Sequence, residues 1–147
     1  RACANQVIST PEFEALKQQY KGLKVLPFVP AIRQSGNQLV FISGIIGFPD
    51  DYDPTHPNPG TITQQTEQIF KVLDRTLAAS GLKMSNVVSI HKFLVHMEDH
   101  EAVVAVMEKH FPDHFPTSTT VEVNRLVPPG FGIEIEAIAA VPPKGCK

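Results

Sequence analysis

The stretch FPTSTTVEVNRLVPPGFGIEIEAIAA, residues 115–140, contains the pattern that decides the fold. Apolar and polar residues alternate with a period of two in Thr119–Val123 and in Gly132–Ala140, which is typical of half-buried β-strands. In the second strand, Glu134 and Glu136 fall on the face opposite the isoleucines. A carboxylate on a central strand persists when it is hydrogen-bonded, paired or directed into a wet cavity. Glu134 is therefore a candidate site residue and Glu136 is expected to be structural, with a solvated strand face as the alternative for both.

The chain is large enough for one hydrophobic core. Its 147 residues, 42% of them hydrophobic, are too few for two ordinary domains, so we expect a single domain over residues 1–147. The 13 basic and 15 acidic residues give a formal charge of −2, which provides no general attraction to nucleic acid or to a membrane. We therefore expect neither as a partner.

The sequence shows no signal for membrane insertion or secretion. No apolar run approaches the roughly 20 residues of a membrane span, and the N-terminus RACANQ lacks the apolar core of a signal peptide. These features favour a cytoplasmic protein. Because the chain begins at Arg1 rather than at a methionine, a targeting segment that has been removed stays open as an alternative.

The two cysteines, Cys3 and Cys146, stand near opposite ends of the chain. Two cysteines cannot form a disulfide framework or a cysteine-rich zinc site, so two free thiols are the simplest expectation. A disulfide becomes possible if the termini meet on neighbouring strands in an oxidising compartment.

The N-terminal part predicts a short helix and a hairpin. Residues 1–22 form an extension whose helix has Thr10 as its N-cap and Pro11 in its first turn. Extended segments on both sides of the turn formers Ser35, Gly36 and Asn37 then predict a β-hairpin.

The middle of the chain predicts a long loop and the remaining elements. Residues 47–61 contain four prolines and little apolar periodicity, which indicates an irregular surface loop. The capping pattern of Thr61 and Gln64 opens a helix, and residues 87–96, VVSIHKFLVH, predict a central strand. A second helix follows Asp99 as its N-cap.

The order ββ, helix, β, helix, ββ predicts an α+β fold, with one mixed β-sheet and two helices packed on one face. The strands are too apolar for their other face to contact water. Self-association is therefore the expected way to bury it.

Four segments within residues 7–140 have a distinctive sequence: VIST at 7–10, PFVPAIRQSGNQLVFISGIIGF at 27–48, the helix from Thr61 through AASGLKMSNVVSI, and FPTSTTVEVNRL followed by GIEIEAIA. Together these segments resemble the Rid, or YjgF-type, reactive intermediate deaminase family. The resemblance implies a chorismate-mutase-like fold, a homotrimer with a central β-barrel, and pockets for a small-molecule substrate at the subunit interfaces. It also implies hydrolysis of enamines or imines with release of ammonia and with no metal or organic cofactor.

The main departure from the family pattern is Ser118. Family members usually carry an arginine at this position, which would hold a substrate carboxylate through two charge-assisted hydrogen bonds. A serine hydroxyl can bind a carbonyl or hydroxyl group but cannot supply those two bonds. The resemblance therefore predicts a ligand that is less charged than an α-imino acid.

The resemblance places the other candidate residues around the same pocket. Ser43 and Gly44, expected in the turn after the LVFIS strand, are retained together with Glu134, which would position the attacking water. His100 replaces an aromatic residue and could add positive charge near neutral pH. A structural carboxylate at a subunit interface stays open for Glu134, and an exposed polar residue of the first helical turn stays open for His100. The remaining candidates for substrate binding are Phe28, Gly44, Val104 and Thr120.

The other histidines do not predict a metal site. His96 and His100 have the spacing of a helical metal pair, but no third ligand accompanies them. His91, in the middle of a strand, is expected to be hydrogen-bonded in the core or towards the barrel.

Three functions stay open at the level of sequence. The first is a cofactor-independent hydrolase, lyase or isomerase acting on a weakly polar imine, enamine or related carbonyl compound. The second is ordinary imine deamination with altered anchoring, and the third is a binding or chaperone-like trimer without chemistry. An endoribonuclease ranks below these because the sequence has no basic patch and no series of base-stacking aromatic residues.

Overall fold

The computed structural model describes residues 3–22 and 26–146, and within these ranges it contains six strands and three α-helices. In chain order the elements are β1 (Gln6–Ile8), α1 (Pro11–Gln19), β2 (Ala31–Arg33), β3 (Gln38–Ile46), α2 (Ile62–Ala79), β4 (Val87–Leu94), α3 (His100–His110), β5 (Thr117–Glu122) and β6 (Ile133–Val141).

A four-stranded mixed sheet forms the centre of the fold, in the order β3-β6-β4-β5. β6 is antiparallel to both of its neighbours, whereas β4 and β5 run parallel. The prediction of a central strand within residues 87–96 is confirmed, because β4 lies between β6 and β5, but the strand ends at Leu94, two residues earlier than predicted. The two C-terminal strands lie on opposite sides of β4 and do not pair with each other. The α+β class is also confirmed.

The hairpin predicted around Ser35, Gly36 and Asn37 is wrong. β2 pairs with β1, with Ile32 opposite Val7, in a separate two-stranded sheet. A Cβ atom on Gly36 would collide with the backbone carbonyl of Val141, at the end of β6. The segment after β2 therefore passes closely over the main sheet and does not fold back as a tight turn.

Two of the three predicted N-cap residues make capping hydrogen bonds. Thr10 caps α1 by accepting a hydrogen bond from the Phe13 amide. Thr61 Oγ1 accepts from the Gln64 amide at 3.2 Å, and Gln64 Oε1 accepts from the Thr61 amide at 2.9 Å. Asp99 precedes α3, but within the described part of the chain its side chain makes no capping hydrogen bond.

The core lies between α2, α3 and one face of the sheet. Apolar side chains of both helices are buried there, as the helical spacing predicts, and they pack against alternate residues of β4 and β6. The principal residues are Ile69, Phe70, Leu73, Leu77, Val103, Val106, Met107, Ile90, Leu94, Ile133, Ile135 and Ala137.

The opposite side of the sheet, facing away from α2 and α3, is called here the outer sheet face. Alternation places Glu134, Glu136 and the exposed side chains of Leu39, Phe41 and Val121 on it. The Phe41 side chain is 74% exposed. In the described ranges, no helix is both long and apolar enough to cross a bilayer.

A disulfide joins Cys3 to Cys146, so the expectation of two free thiols is wrong. The two Cα atoms lie 5.5 Å apart, a normal separation for a bridged pair. Pairing of β1 with β2 brings the N-terminal segment to the end of β6, and Ser35 holds it there. The Ser35 amide donates to Asn5 Oδ1 at 2.9 Å, and its hydroxyl donates to the Cys3 carbonyl at 3.0 Å.

Candidate functional site

A cavity of about 790 Å³ opens between α3, the β4–β5 edge of the sheet and the N-terminal segment containing α1. We call it the helix-side cavity. Five of the eight predicted site residues line it: Phe28, His100, Val104, Ser118 and Thr120.

The register between β4 and β5 directs the two hydroxyl groups into this cavity. Ser118 lies opposite Ile90, and Thr120 lies opposite Lys92. Because Ile90 and Lys92 are buried on the helix side of β4, their partners on β5 point to the same side. β5 is an edge strand, so these hydroxyls lie at the margin of the core.

The N-terminal extension forms one wall of the helix-side cavity. Leu16 of α1 and Tyr20, which follows the helix as its C-cap, line the cavity together with residues 26–28. The rings of Phe13 and Phe28 pack with their centroids 5.4 Å apart, which joins α1 to this segment. The extension predicted as residues 1–22 therefore contributes directly to the site.

Lys92 is the main residue of the cavity that sequence reasoning missed. Its side chain is only 1% exposed, and Nζ donates to Met107 Sδ at 3.4 Å. Burial lowers the pKa of Lys92 from 10.5 to about 8. A signal for it was present, because Lys92 stands in phase with the buried residues Ile90 and Leu94 on a strand predicted to be central.

Polar groups of two kinds line the same cavity as this amine. Ser118 Oγ is buried and has no hydrogen-bond partner among the described residues. Glu101 and Glu108 of α3 also line the cavity. The site therefore offers an amine and hydroxyl groups to a carbonyl, imine or hydroxyl ligand, while its carboxylates disfavour an anionic ligand.

The other three predicted site residues, Ser43, Gly44 and Glu134, lie elsewhere. We expected Ser43 and Gly44 in a turn after the strand, but they lie within β3, where the register with β6 shifts between Ile42 and Ile45. This irregularity is a β-bulge. A Cβ on Gly44 would collide with the Glu134 carboxylate, so only glycine allows this close approach.

The second carboxylate of β6 has a partner on the outer sheet face. Glu136 Oε1 and His91 Nδ1 lie 2.7 Å apart, and both side chains are 45% exposed. The prediction that His91 is hydrogen-bonded is confirmed. Both residues line a cavity of about 260 Å³ together with Ser43 and Phe41.

The eight predicted residues thus form two groups on one chain. Five line the helix-side cavity, whereas Ser43, Gly44 and Glu134 lie along β3 and β6 beyond the core. Within the described ranges, no group of three or more histidine, cysteine, aspartate or glutamate side chains is arranged to hold a metal ion.

Comparison with known proteins identifies the family. The family model described as Endoribonuclease L-PSP matches residues 23–141. The chain belongs to this family, the Rid/YjgF proteins. It is 34% identical over 136 residues to a 2-iminobutanoate/2-iminopropanoate deaminase of Dermatophagoides farinae, covering 92% of this chain and 96% of that protein.

A second relative carries a different deaminase name. The 3-aminoacrylate deaminase RutC of Acinetobacter baylyi is 30% identical over 115 residues, covering 78% of this chain and 87% of that protein. Relatives of the chain are thus named for reactions on both imines and enamines.

Solved structures agree with this assignment. Yeast Mmf1 superposes with a TM-score of 0.62 at 30% identity, over 80% of this chain and 89% of that one. A Rid-family protein of Yersinia pestis has a TM-score of 0.73 at 21% identity, over 93% and 98% of the two chains. The fold implied by the sequence resemblance is therefore confirmed.

Proposed function

We propose that this Rid-family protein is a homotrimer that hydrolyses a weakly polar imine or enamine at the interface between two copies. The helix-side cavity of one copy meets the Ser43, Gly44 and Glu134 group of another copy in this arrangement. The substrate lies between them, and no organic cofactor or metal is required for the reaction.

The observation that carries this proposal is the separation of the site residues into two groups. The cavity has hydroxyl groups and an amine, but no predicted water-activating carboxylate lines it. Glu134 lies on the outer sheet face, beside a glycine that leaves its carboxylate room. In the assembly, a second copy brings its Glu134 group to the helix-side cavity of the first, so that both groups of residues meet in one site.

The outer sheet face has the character of a buried interface. Phe41 is 74% exposed, Leu39 is 43% exposed and Val121 is 42% exposed. Large apolar side chains grouped on the uncovered face of a sheet favour association. A trimer that closes its sheets into a barrel would cover them.

The chemistry needs one water molecule and one proton-transfer group. Glu134 accepts a proton from water as the water oxygen bonds to the imine carbon, and the proton then passes to the leaving nitrogen. The net reaction, R₂C=NH + H₂O → R₂C=O + NH₃, is balanced without a redox step. Ser118 and Thr120 hold polar substituents of the substrate, while Phe28 and Val104 contact its apolar part and His100 lies at the margin.

The direct test measures ammonia released from imines generated in solution. A neutral aldimine is produced by an amine oxidase, and an α-imino acid by an amino-acid oxidase. We expect the protein to accelerate hydrolysis of the neutral imine, and Glu134→Gln to reduce that rate at least about 100-fold. Glu136→Gln is the matched control, because glutamine can still hydrogen-bond to His91.

Two results would oppose the proposal. Equal rates for wild type and Glu134→Gln would remove the role of Glu134. A ligand that raises the melting temperature but emerges chemically unchanged, with no ammonia from either imine, would favour a binding protein without chemistry.

Ordinary deamination of α-imino acids is the second candidate. It is favoured by the 34% identity to the mite 2-iminobutanoate/2-iminopropanoate deaminase over nearly the whole chain. It predicts that wild type prefers the α-imino acid, although Ser118 stands where the family usually has arginine. Under our proposal, Ser118→Arg instead creates this preference, because the guanidinium can hold a carboxylate.

A further inference from the structure

The helix-side cavity contains a lysine for which the fold has no structural use. Lys92 occupies a core position on β4, between the buried side chains of Ile90 and Leu94. Lysines are almost never fully buried without a partner. An apolar residue of similar length would fill this position at lower cost.

The amine of Lys92 lacks the usual compensation. No carboxylate in the described ranges lies within ion-pair distance of it, and its contact is a weak hydrogen bond to Met107 Sδ. Desolvation by burial lowers the pKa of Lys92 to about 8. At pH 7 roughly one amine in ten is therefore neutral and nucleophilic.

The surroundings favour attack on a neutral or cationic carbon centre. Ser118 Oγ, buried without a hydrogen-bond partner among the described residues, and Thr120 opposite Lys92 both face the cavity. The titratable groups that face it are Tyr20, at the end of α1, and His100, Glu101 and Glu108 of α3. The two carboxylates oppose an anionic ligand and are compatible with a protonated imine.

We propose that Lys92 is the covalent nucleophile of this site and forms a Schiff base with the imine or carbonyl compound that enters the cavity. This inference rests on the proposed function, because it assigns a route to the same reaction. Flexible bonds in the lysine side chain allow Nζ to turn from Met107 towards the ligand.

The covalent route proceeds in two balanced steps. The neutral amine attacks the protonated imine, a proton passes from the lysine nitrogen to the substrate nitrogen, and ammonia leaves: Lys–NH₂ + R₂C=NH₂⁺ → Lys–NH⁺=CR₂ + NH₃. Water activated by Glu134 of the partner subunit then adds to the same carbon, and the C–N bond breaks: Lys–NH⁺=CR₂ + H₂O → Lys–NH₃⁺ + R₂C=O. Ser118 and Thr120 can hydrogen-bond to the carbinolamine oxygen.

Reductive trapping tests this assignment on the intact protein. Wild type is incubated at pH 7 with butanone and sodium cyanoborohydride, which reduces the imine to a stable amine and leaves disulfides intact. Peptide mass spectrometry then locates the adduct. We expect Lys92 to be labelled at least about tenfold more than the exposed Lys83, because burial lowers the pKa of Lys92 to about 8 and the cavity beside it can hold the ketone. An unmodified Lys92 beside labelled surface lysines would overturn the inference.

A pair of variants separates nucleophile from charge. Lys92→Arg keeps a positive charge but has no nucleophilic amine, whereas Lys92→Met removes both; melting curves establish that each is folded. We expect both to lose the adduct and about 100-fold or more of ammonia release. Full turnover by Lys92→Arg would overturn the covalent role and leave the proposed deamination intact. An adduct at Lys92 without ammonia release from any imine would instead overturn the proposed function and retain the Schiff base.

Discussion

The helix-side cavity and the outer sheet face leave different kinds of group without a protein partner. In the cavity these are polar: a buried amine whose contact is a thioether, and a hydroxyl that makes no hydrogen bond within the described residues. On the outer face the groups without a partner are large apolar side chains, of which Phe41 is the most exposed. The Glu136 carboxylate on this face is already paired with His91. One surface is suited to a small polar ligand and the other to a protein surface.

Because of this difference, a single copy leaves both polar and apolar groups without a partner among the described residues. Burying an unpaired polar group costs free energy that a ligand can restore, whereas exposed apolar area is stabilised by a partner chain. Glu134 lies on the outer sheet face, and its proposed role is to activate the water that attacks the substrate. Assembly and catalysis are therefore expected to depend on the same contacts.

The largest expected effect comes from a charge on the outer sheet face. Phe41→Glu is expected to convert the proposed trimer to monomers, because three carboxylates would have to be buried among apolar side chains. Sedimentation velocity should show a threefold lower mass, and ammonia release should fall at least about 100-fold. Val127→Glu is the control, since Val127 is 96% exposed on the loop before β6. A Phe41→Glu protein that is still trimeric and active would show that neither assembly nor activity depends on the outer sheet face at Phe41.

The next effect is on stability and concerns the free-energy cost of burying Lys92. Lys92→Met should raise the free energy of unfolding by up to about 3 kcal/mol at pH 7, because the folded state no longer holds a desolvated ammonium. The pKa of Lys92 is about 8 in the folded protein and near 10.5 when unfolded, so its cost is complete below pH 8. The difference between the two proteins should therefore shrink as pH rises from 8 to about 10.5. Urea titrations across this range measure it; a difference that is constant with pH would show that packing, not charge, is responsible.

The smallest effect compares two buried hydroxyl groups. Ser118→Ala should leave stability unchanged or raise it by up to about 1 kcal/mol, since the lost hydroxyl makes no hydrogen bond among the described residues. Thr66→Val should cost about 1 kcal/mol, because Thr66 Oγ1 donates to the Ile62 carbonyl at 2.7 Å in the core. Thermal unfolding of both variants provides the measurement. A larger loss for Ser118→Ala would mean that this hydroxyl has a structural partner.

Local signals in the sequence predicted the elements well. The reciprocal capping of Thr61 and Gln64 fixed the start of α2, and the period-two pattern placed Ile133 and Glu134 on opposite faces of β6. Residues 47–61, predicted as a loop from their prolines, are the segment between β3 and α2. Each of these depends on residues that are close in sequence.

Pairing over long distances was harder to predict. The turn formers at residues 35–37 suggested a hairpin, but β1 offered β2 a different partner. The bulge at Ser43 and Gly44 depends on its register with β6, almost a hundred residues later in the chain. Lys92 was identified as a site residue only when the fold placed it opposite Thr120, in the lining of the helix-side cavity.

The cellular location predicted from sequence, the cytoplasm, stays a prediction. The disulfide favours an oxidising compartment, because cytosolic thiols are normally kept reduced. Alkylation of the protein in freshly lysed cells, before and after reduction, would distinguish the two. Two thiols that react without reduction would favour the cytoplasm.

The Cys3–Cys146 bond also changes what the polypeptide is as a covalent object. It links positions separated by 143 residues, so nearly the entire protein becomes a closed ring. A protease that cuts once in the surface loop at residues 47–61 would open this ring without releasing a fragment. The chain segments before and after the cut would stay joined through the Cys3–Cys146 bond. The same loop could therefore carry the new termini of a circularly permuted protein.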